Sequence, residues 1–473
     1  MNATDEVWDV VIVGGGASGL AAAVTAASPE CRVLLVEKDA SLGGTTALAI
    51  GSLTAAGTKL QADAGIQDSL DDFFSDITNA IIESGFKDKN NEELTKIVVR
   101  EAGLAVDWIT ALGASFVGPF GEPLHRVPRM HNIVPNSKSY ISVLAQAAQK
   151  KGVAIRTGTQ VIELITSGES VTGVKVDSGG SLRAIKANKA VILAAGDFSS
   201  NTKMKSQFMS ERLAQVDGIN PSSTGDGHLM AMAINAGVCN MDISIGPSLR
   251  FVSPNQPLWI KSLPTFPAIA KVMGAVAKHA PKWFFRLIAK RFLTVHTSPS
   301  SDIFKKGGLL INKNGKRFTN EFLPSRQLAV AVAQQPEKIA YILMDGFLAR
   351  LFSDPPNYIS TAPGIAYASL DDYRVLRKDI THAAQSVQEL AGKIGIDPVA
   401  LRKTIGGYNS SVAAGKEDEF GKKTFEPGFH ASPFYALGPL MGSFSSVEGG
   451  LAVDSECHVL TKEGKKIPGR YAA

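Results

Sequence analysis

Only three cysteines occur, Cys31, Cys239 and Cys457, and they lie far apart. Their scatter excludes a disulfide scaffold and a cysteine-built metal site; no metal is expected, and a reducing, cytoplasmic setting is. No apolar run approaches the roughly 18 residues that a transmembrane helix needs. The start, Met-Asn-Ala-Thr-Asp-Glu, is polar and acidic and leads straight into an apolar run, so no Sec-type signal is expected. Strong net charge is missing too: 49 Lys and Arg face 44 Asp and Glu, which removes nucleic acid as an expected partner. Acid is locally absent. Between Asp242 and Asp302 there is none, while Arg250, Lys261, Lys271, Lys278, Lys282, Arg286, Lys290 and Arg291 fall inside. A chain of 473 residues buries a large core and should hold more than one domain, at about 150 residues each.

What the sequence does have is concentrated near its start. Val10 to Val13 is a continuous apolar run, as in a strand buried on both faces of a parallel sheet. Gly14-Gly-Gly16-Ala17-Ser18-Gly19 follows at once, then the helix-forming run Leu20 to Ala23. In a G-x-G-x-x-G turn the first glycine permits the bend, the second admits a pyrophosphate, and the third lets helix pack on strand. The phosphates then meet the unpaired N–H groups of a helix N-terminus. A second apolar run, Val33 to Val36, ends in Glu37 and Lys38, about 20 residues on, where a carboxylate accepts from ribose hydroxyls. One such fingerprint occurs, so no separate NADPH domain is expected.

Further along, Asp71 to Leu112 has an amphipathic helical pattern. Phe120 to His131 lacks helical period and reads as a loop, whose His125 and His131 either touch substrate or are merely exposed. Strands are expected at Gly152–Thr157 and Val161–Leu164, then a hairpin from Val171–Val176 through Ser178-Gly179-Gly180 to Leu182–Ile185. In Lys282–Leu293 the cations Lys282, Arg286 and Lys290 recur every fourth residue, with Phe284, Phe285, Ile288 and Phe292 on another face. Three roles fit that helix: peripheral contact with a membrane or partner, a lid over a hydrophobic substrate, or an ordinary helix with a solvated basic face.

Several motifs carry a family resemblance. Gly43-Gly44-Thr45-Thr46, with Gly51 and Ala55-Ala56-Gly57-Thr58 beyond, matches a second glycine-rich loop. Ala190 to Gly196 matches an "ATGG" strand, Ser223 to Gly227 a T-G-D-G loop, and Leu309 to Glu321 a G-x-L-V-N-x-x-G-x-R-F-x-N-E hairpin with an Asn-Gly turn. Met441 to Asp454 matches H-x-x-G-G-[VL]-x-[ID]. Together they resemble the flavoproteins related to soluble fumarate reductase, succinate dehydrogenase flavoprotein subunits and 3-ketosteroid dehydrogenases.

The resemblance implies an α/β fold: a Rossmann-like FAD-binding domain of glutathione-reductase type with an inserted α+β capping domain. The expected segments are 1–242 and 437–473 for the flavin domain and 243–436 for the cap. Relatives continue past the position of Ala473 with a glycine-rich loop and a helix, so a C-terminally truncated chain is expected. FAD is the implied cofactor, non-covalent because the loop from Gly43 holds no histidine. Its implied contacts are the fingerprint residues, Glu37, Lys38, the loop from Gly43 to Gly51, Val161 near the adenine, Ala195, Gly196 and Asp226.

Arg326 is the nearest match to the arginine that protonates substrate carbon, displaced by one residue, and His131 lies in a loop that relatives place beside the active site. Both histidines that read dicarboxylates are absent: Ser446 and Gly246-Pro247 stand in their places, with His296 a shifted substitute. The implied reaction is oxidoreduction of a CH–CH or C=C bond beside a carbonyl, favoured as dehydrogenation of a hydrophobic, steroid-like or alicyclic ketone. Fumarate-type reduction of an unsaturated carboxylate and a non-catalytic flavin-binding remnant are the alternatives. The partners are then a small-molecule substrate and an unnamed electron donor or acceptor.

Overall fold

The computed structural model describes residues 6–254, 263–279, 282–362, 366–423 and 428–473. Its first strand, Glu6–Val13, lies in the middle of an eight-stranded sheet. On one side it pairs in parallel with Val33–Val36 (Val10 opposite Val33), and on the other with Ser181–Leu193 (Val10 opposite Ala190). Ala154–Arg156 extends one edge, and Lys466–Ala472 followed by His458–Leu460 the other. Alternate side chains serve two cores. Val11, Val13, Leu34, Val36 and Val191 face one; Val10, Ile12, Val33 and Leu35 face the other, against Leu20 and Val24 of helix Ala17–Ala26 and Leu144 of helix Lys138–Lys150. Burial on both faces is why the runs are continuously apolar rather than alternating.

The hairpin is present as Ser170–Ser178 and Ser181–Leu193, with one difference from the sequence reading. The returning strand does not stop near Ile185. It runs on to Leu193, pairing with the hairpin at its start and with the first strand at its end. The amphipathic stretch forms helices Leu70–Glu83 and Glu92–Ala111. They flank a small antiparallel sheet of Ser52–Thr54, Met130–Val134 and Ser115–Phe120.

A six-stranded sheet makes up the cap. Phe434–Phe444 is its organising strand, pairing with Ile339–Met344, Ser248–Phe251, Thr381–Ala384 and the short strand Asp217–Gly218. Leu310, Ile342, Leu437 and Leu440 fill one face; Leu309, Ile311, Leu343 and Ala436 fill the other, under helices Val387–Ile394 and Pro398–Ala413. The expected boundary at 436 falls inside this strand, whose far end, Ser443 and Phe444, pairs with Asp217 and Gly218. The three-segment division is our proposal, with that strand shared.

The Asn-Gly turn forms, with Gly315 at φ +71°, but only Leu309–Asn312 is a strand, and its return is a single bridge from Ile311 to Arg317. Instead, Arg317 and Glu321 turn inward. Arg317 donates to both Glu321 oxygens at 2.8 and 2.7 Å and pairs with Asp418 at 2.6 Å, while Lys422 lies 3.3 Å from Glu321. All four side chains are enclosed. The signature is thus an ionic staple of the cap core. No described helix is long and apolar enough to cross a membrane.

Candidate functional site

At the end of the first strand, Gly14 has φ +112°, and a Cβ there would meet Ala194 O at 2.2 Å. A Cβ on Gly19 would meet Gly14 O at 2.0 Å, so the third glycine is what brings helix onto turn. Around Gly16 the nearest atom to such a Cβ is Thr46 Oγ1 at 3.9 Å, which leaves that backbone open. Thr46 Oγ1 accepts from Ala17 N at 3.3 Å, and Gly43 N donates to Gly15 O at 3.0 Å, so the second glycine-rich loop lies along the first. Thr45 is held by Asn220 Nδ2 at 3.1 Å, and Ser18 is exposed. Gly51, at φ +100°, accepts from the buried Tyr140 hydroxyl, and Gly44 opens the helix Gly44–Leu48.

These elements surround a small, partly open cleft lined by Gly14, Glu37, Lys38, Val161, Ala195 and Asp226. Glu37 is 8% exposed and accepts from Gly15 N at 2.6 Å and Asp39 N at 2.8 Å. Lys38 Nζ crosses the cleft to Asp226 at 2.9 Å and the Thr224 hydroxyl at 2.7 Å. Gly196, at φ +77°, directly follows Ala195 of the lining. An open glycine turn at a helix N-terminus beside a strand-end carboxylate fits the pyrophosphate and ribose of a dinucleotide.

A second cluster forms where the cap meets this sheet. Asp197, next to Gly196, accepts from Val447 N at 3.1 Å and so ties the returning stretch to the nucleotide strand. Ile245 N donates to Glu448 at 3.1 Å, and Leu249 N donates to Ser325 Oγ at 3.3 Å. The latter bond sets Arg326, in the first turn of helix Ser325–Ala333, beside strand Ser248–Phe251. Arg326 is exposed, and its charge is felt by Glu448. Desolvation raises the Glu448 carboxyl above its ordinary value, against the Ile245 N–H and Arg326. Arg250, on the strand that bonds to Ser325 through Leu249, donates from Nε to Ser248 Oγ at 2.9 Å and from Nη2 to Ser445 Oγ at 2.7 Å.

His131 is not in that cluster. It sits on strand Met130–Val134, wholly enclosed, with Nε2 2.8 Å from Thr58 Oγ1, and burial lowers its basicity. His125 is also drawn inward, 3.1 Å from Arg129, whose guanidinium pairs with Asp68 and Asp76 at 2.6 Å each. Residues 121–129 form the expected loop, partly exposed, which Arg129 anchors by its buried ion pairs, while His131 falls on the strand that follows. The His296 side chain lies outside the described residues. Sequence reasoning missed Arg250, Ser445 and Glu448; the one available signal was Arg250 in an acid-free run next to the missing histidine. Among the described residues, Asp454, Glu456 and His458 have the spacing of a metal site, but Lys466 Nζ already lies 2.8 and 2.9 Å from the two acids.

A parallel sheet ending in an open glycine turn and a terminal acid, with an α+β cap closing over it, is the architecture of an FAD-dependent oxidoreductase. The chain belongs to the FAD binding domain family, which matches residues 9–245 and 291–473. It is similar to a fumarate reductase (cytochrome) of Shewanella frigidimarina, 27% identical over 479 residues, covering 100% of this chain and 72% of that protein. An NADH:fumarate oxidoreductase of Klebsiella pneumoniae (strain 342) is 26% identical over 477 residues, covering 100% of this chain and 44% of that protein. The open conformation of a flavocytochrome c3 fumarate reductase superposes with TM-score 0.71 at 24% identity, covering 99% of this chain and 72% of that one. The relatives are fumarate reductase-like flavoproteins, and FAD is the cofactor of the family.

Proposed function

We propose that this protein moves a hydride between FAD and the carbon β to a carbonyl, on a substrate with an apolar body and one ketone or anionic end. The observation that carries this is Arg326 acting on Glu448, with Arg250 bonded to Ser445 next to Ser446, where neither dicarboxylate-reading histidine is present. A dianion desolvated there would leave charge unpaired. FAD, once bound, supplies the hydride acceptor or donor. Glu37, the fingerprint residues, the loop from Gly43 to Gly51, Val161, Ala195, Gly196 and the Lys38–Asp226 strut hold it, without a covalent bond, since that loop offers no histidine. Arg326 donates hydrogen bonds toward the carbonyl oxygen and stabilises the enolate as it develops. Its guanidinium stays charged, so it passes a proton to or from the α carbon only through a relay, for which Glu448 is the neighbouring acid.

Dehydrogenation of a hydrophobic ketone is the favoured direction. Reduction of an unsaturated acid is the second reading, supported by the names of the fumarate-reducing relatives. Anaerobic spectroscopy of the bound flavin tests both. Bleaching by saturated ketones supports dehydrogenation, and reoxidation of reduced flavin by an enoate or enone supports reduction. No response to either leaves a flavin-binding protein without this activity.

A peripheral membrane contact belongs to the same proposal, for a protein of the cytoplasm. The family match skips 246–290, which carries cations and no acid, and Phe266, Val272 and Val276 are exposed on and beside helix Pro267–His279. The next helix extends from Lys282 to His296, and its far half packs inward: Leu293 is buried and Lys290 pairs with Asp372 at 2.9 Å. The membrane-facing charge therefore falls to Lys282 and Arg286, whose side chains lie outside the described residues.

A further inference from the structure

Arg250 has an unusual setting. It is half-buried on strand Ser248–Phe251, and both its hydrogen-bond partners are neutral hydroxyls, Ser248 and Ser445. Among the described residues no carboxylate pairs with it, and desolvation lowers its guanidinium below the ordinary value. Three other interior arginines are neutralised, whereas Arg470 is enclosed with no hydrogen-bond partner among the described residues. Arg129 and Arg317 each bind two carboxylates, and Arg377 binds Asp379 together with two backbone carbonyls. A half-buried cation held by two hydroxyls is aimed without being neutralised. A guanidinium in that state favours a planar anion, which accepts two parallel N–H bonds.

Its position gives the aim a direction. Strand 248–251 lies antiparallel to Phe434–Phe444, with Ser248 opposite Ser443, and this carries Arg250 to Ser445, adjoining Ser446. The Leu249–Ser325 bond puts Arg326 one residue beyond the other side of the same link. We propose that Arg250 is the receptor for a single carboxylate on the substrate, with Ser248 and Ser445 fixing the plane of its guanidinium. This rests on the reading of the site as one for carbonyl-bearing substrates and narrows it to monocarboxylic acids whose remaining surface is apolar. Arg326 is left free for the reacting end.

The test is equilibrium titration of the FAD-loaded oxidised protein with trans-cinnamate, cinnamamide and cyclohex-2-enone, followed through the flavin absorbance. The expected result is that cinnamate binds at least about tenfold more tightly than its amide, that Arg250→Met removes this preference, and that Arg250→Lys restores part of it. Ser445→Ala should weaken cinnamate alone. FAD content and melting temperature check that each variant is folded; if Arg250→Met does not fold, Ser445→Ala and the wild-type preference decide. Equal binding of acid and amide to wild type, or an unchanged preference in folded Arg250→Met, overturns the proposal while leaving the C–C reading intact if the enone binds. A flavin that responds to none of the three probes overturns the underlying reading as well.

Discussion

Lys38 and Asp226 are 188 positions apart in the chain and 2.9 Å apart in space. The contact joins the end of strand Val33–Val36 to the first turn of helix Asp226–Met232, across the nucleotide cleft. Thr224 reinforces it, accepting from Lys38 and donating to Asp226 at 2.7 Å. Both charged side chains are about a fifth exposed, so the pair is worth little as stability. Its effect is geometric: it sets the width of the cleft in which Glu37 lies.

Glu37→Ala is expected to weaken FAD binding by about 1–3 kcal/mol through lost charged hydrogen bonds to ribose. Titration of the apoprotein with FAD measures this. Asp226→Asn weakens the Lys38 strut but keeps the Glu37 carboxylate, and should cost less. Unchanged affinity in folded Glu37→Ala removes that residue from the site.

Arg326→Lys should lower turnover by at least about 100-fold with flavin content unchanged, because an ammonium cannot reproduce the planar fork. Single-turnover flavin reduction is the readout. Near-normal rates would reassign Arg326 to the cap surface.

In the cap, Glu321→Ala leaves Arg317 and Lys422 enclosed without their shared acceptor. A loss of about 3–5 kcal/mol in denaturant unfolding is expected, and a smaller one for Glu321→Gln. A loss below about 1 kcal/mol would mean that Asp418 alone neutralises both cations.

Lys205 is 1% exposed, donates to Val216 O and lies 5.1 Å from the Phe444 ring centre. Burial brings its ammonium down to about 8 from an ordinary 10.5. The unfolded chain therefore binds more protons between these values, and this group's contribution to stability rises with pH across that window. Denaturation midpoints at mildly and strongly alkaline pH should show the rise in wild type and not in Lys205→Met. An identical slope in both would place the titration elsewhere.

Binding to anionic vesicles at low salt should fall when Lys282 and Arg286 are changed to Glu, by about 1 kcal/mol per charge, and should weaken with added salt. Lys290→Glu is expected to act differently, through loss of its pair with Asp372. Absence of wild-type co-sedimentation ends the membrane proposal.

The nucleotide end was legible because its rules are local. A run buried on both faces, three glycines at set spacing and an acid on the next strand all fall within 30 residues. The second cluster obeys no such rule. Arg250 meets Ser445 across 195 positions, through strand pairing whose register no local pattern announces. His131 misled for a related reason. Pro128 and the basic residues around it lack any period, yet Arg129 is pinned by Asp68 and Asp76, and that anchor draws the next strand, with its histidine, into the core. In the signature hairpin the turn was readable from Asn-Gly, whereas the inward roles of Arg317 and Glu321 depend on Asp418 and Lys422, about 100 residues on.

The sharing of strand Phe434–Phe444 between two parts of the chain bears on how such enzymes can be recombined. A cap excised at 243 and 436 and transplanted onto a related flavin scaffold would arrive without most of its central strand and without the Asp217–Gly218 edge. The unit that can be exchanged as a whole starts before Asp217 and ends after Phe444. It therefore carries the Thr224–Asp226 side of the nucleotide cleft with it, so swapping substrate preference by cassette also swaps part of the cofactor's seat.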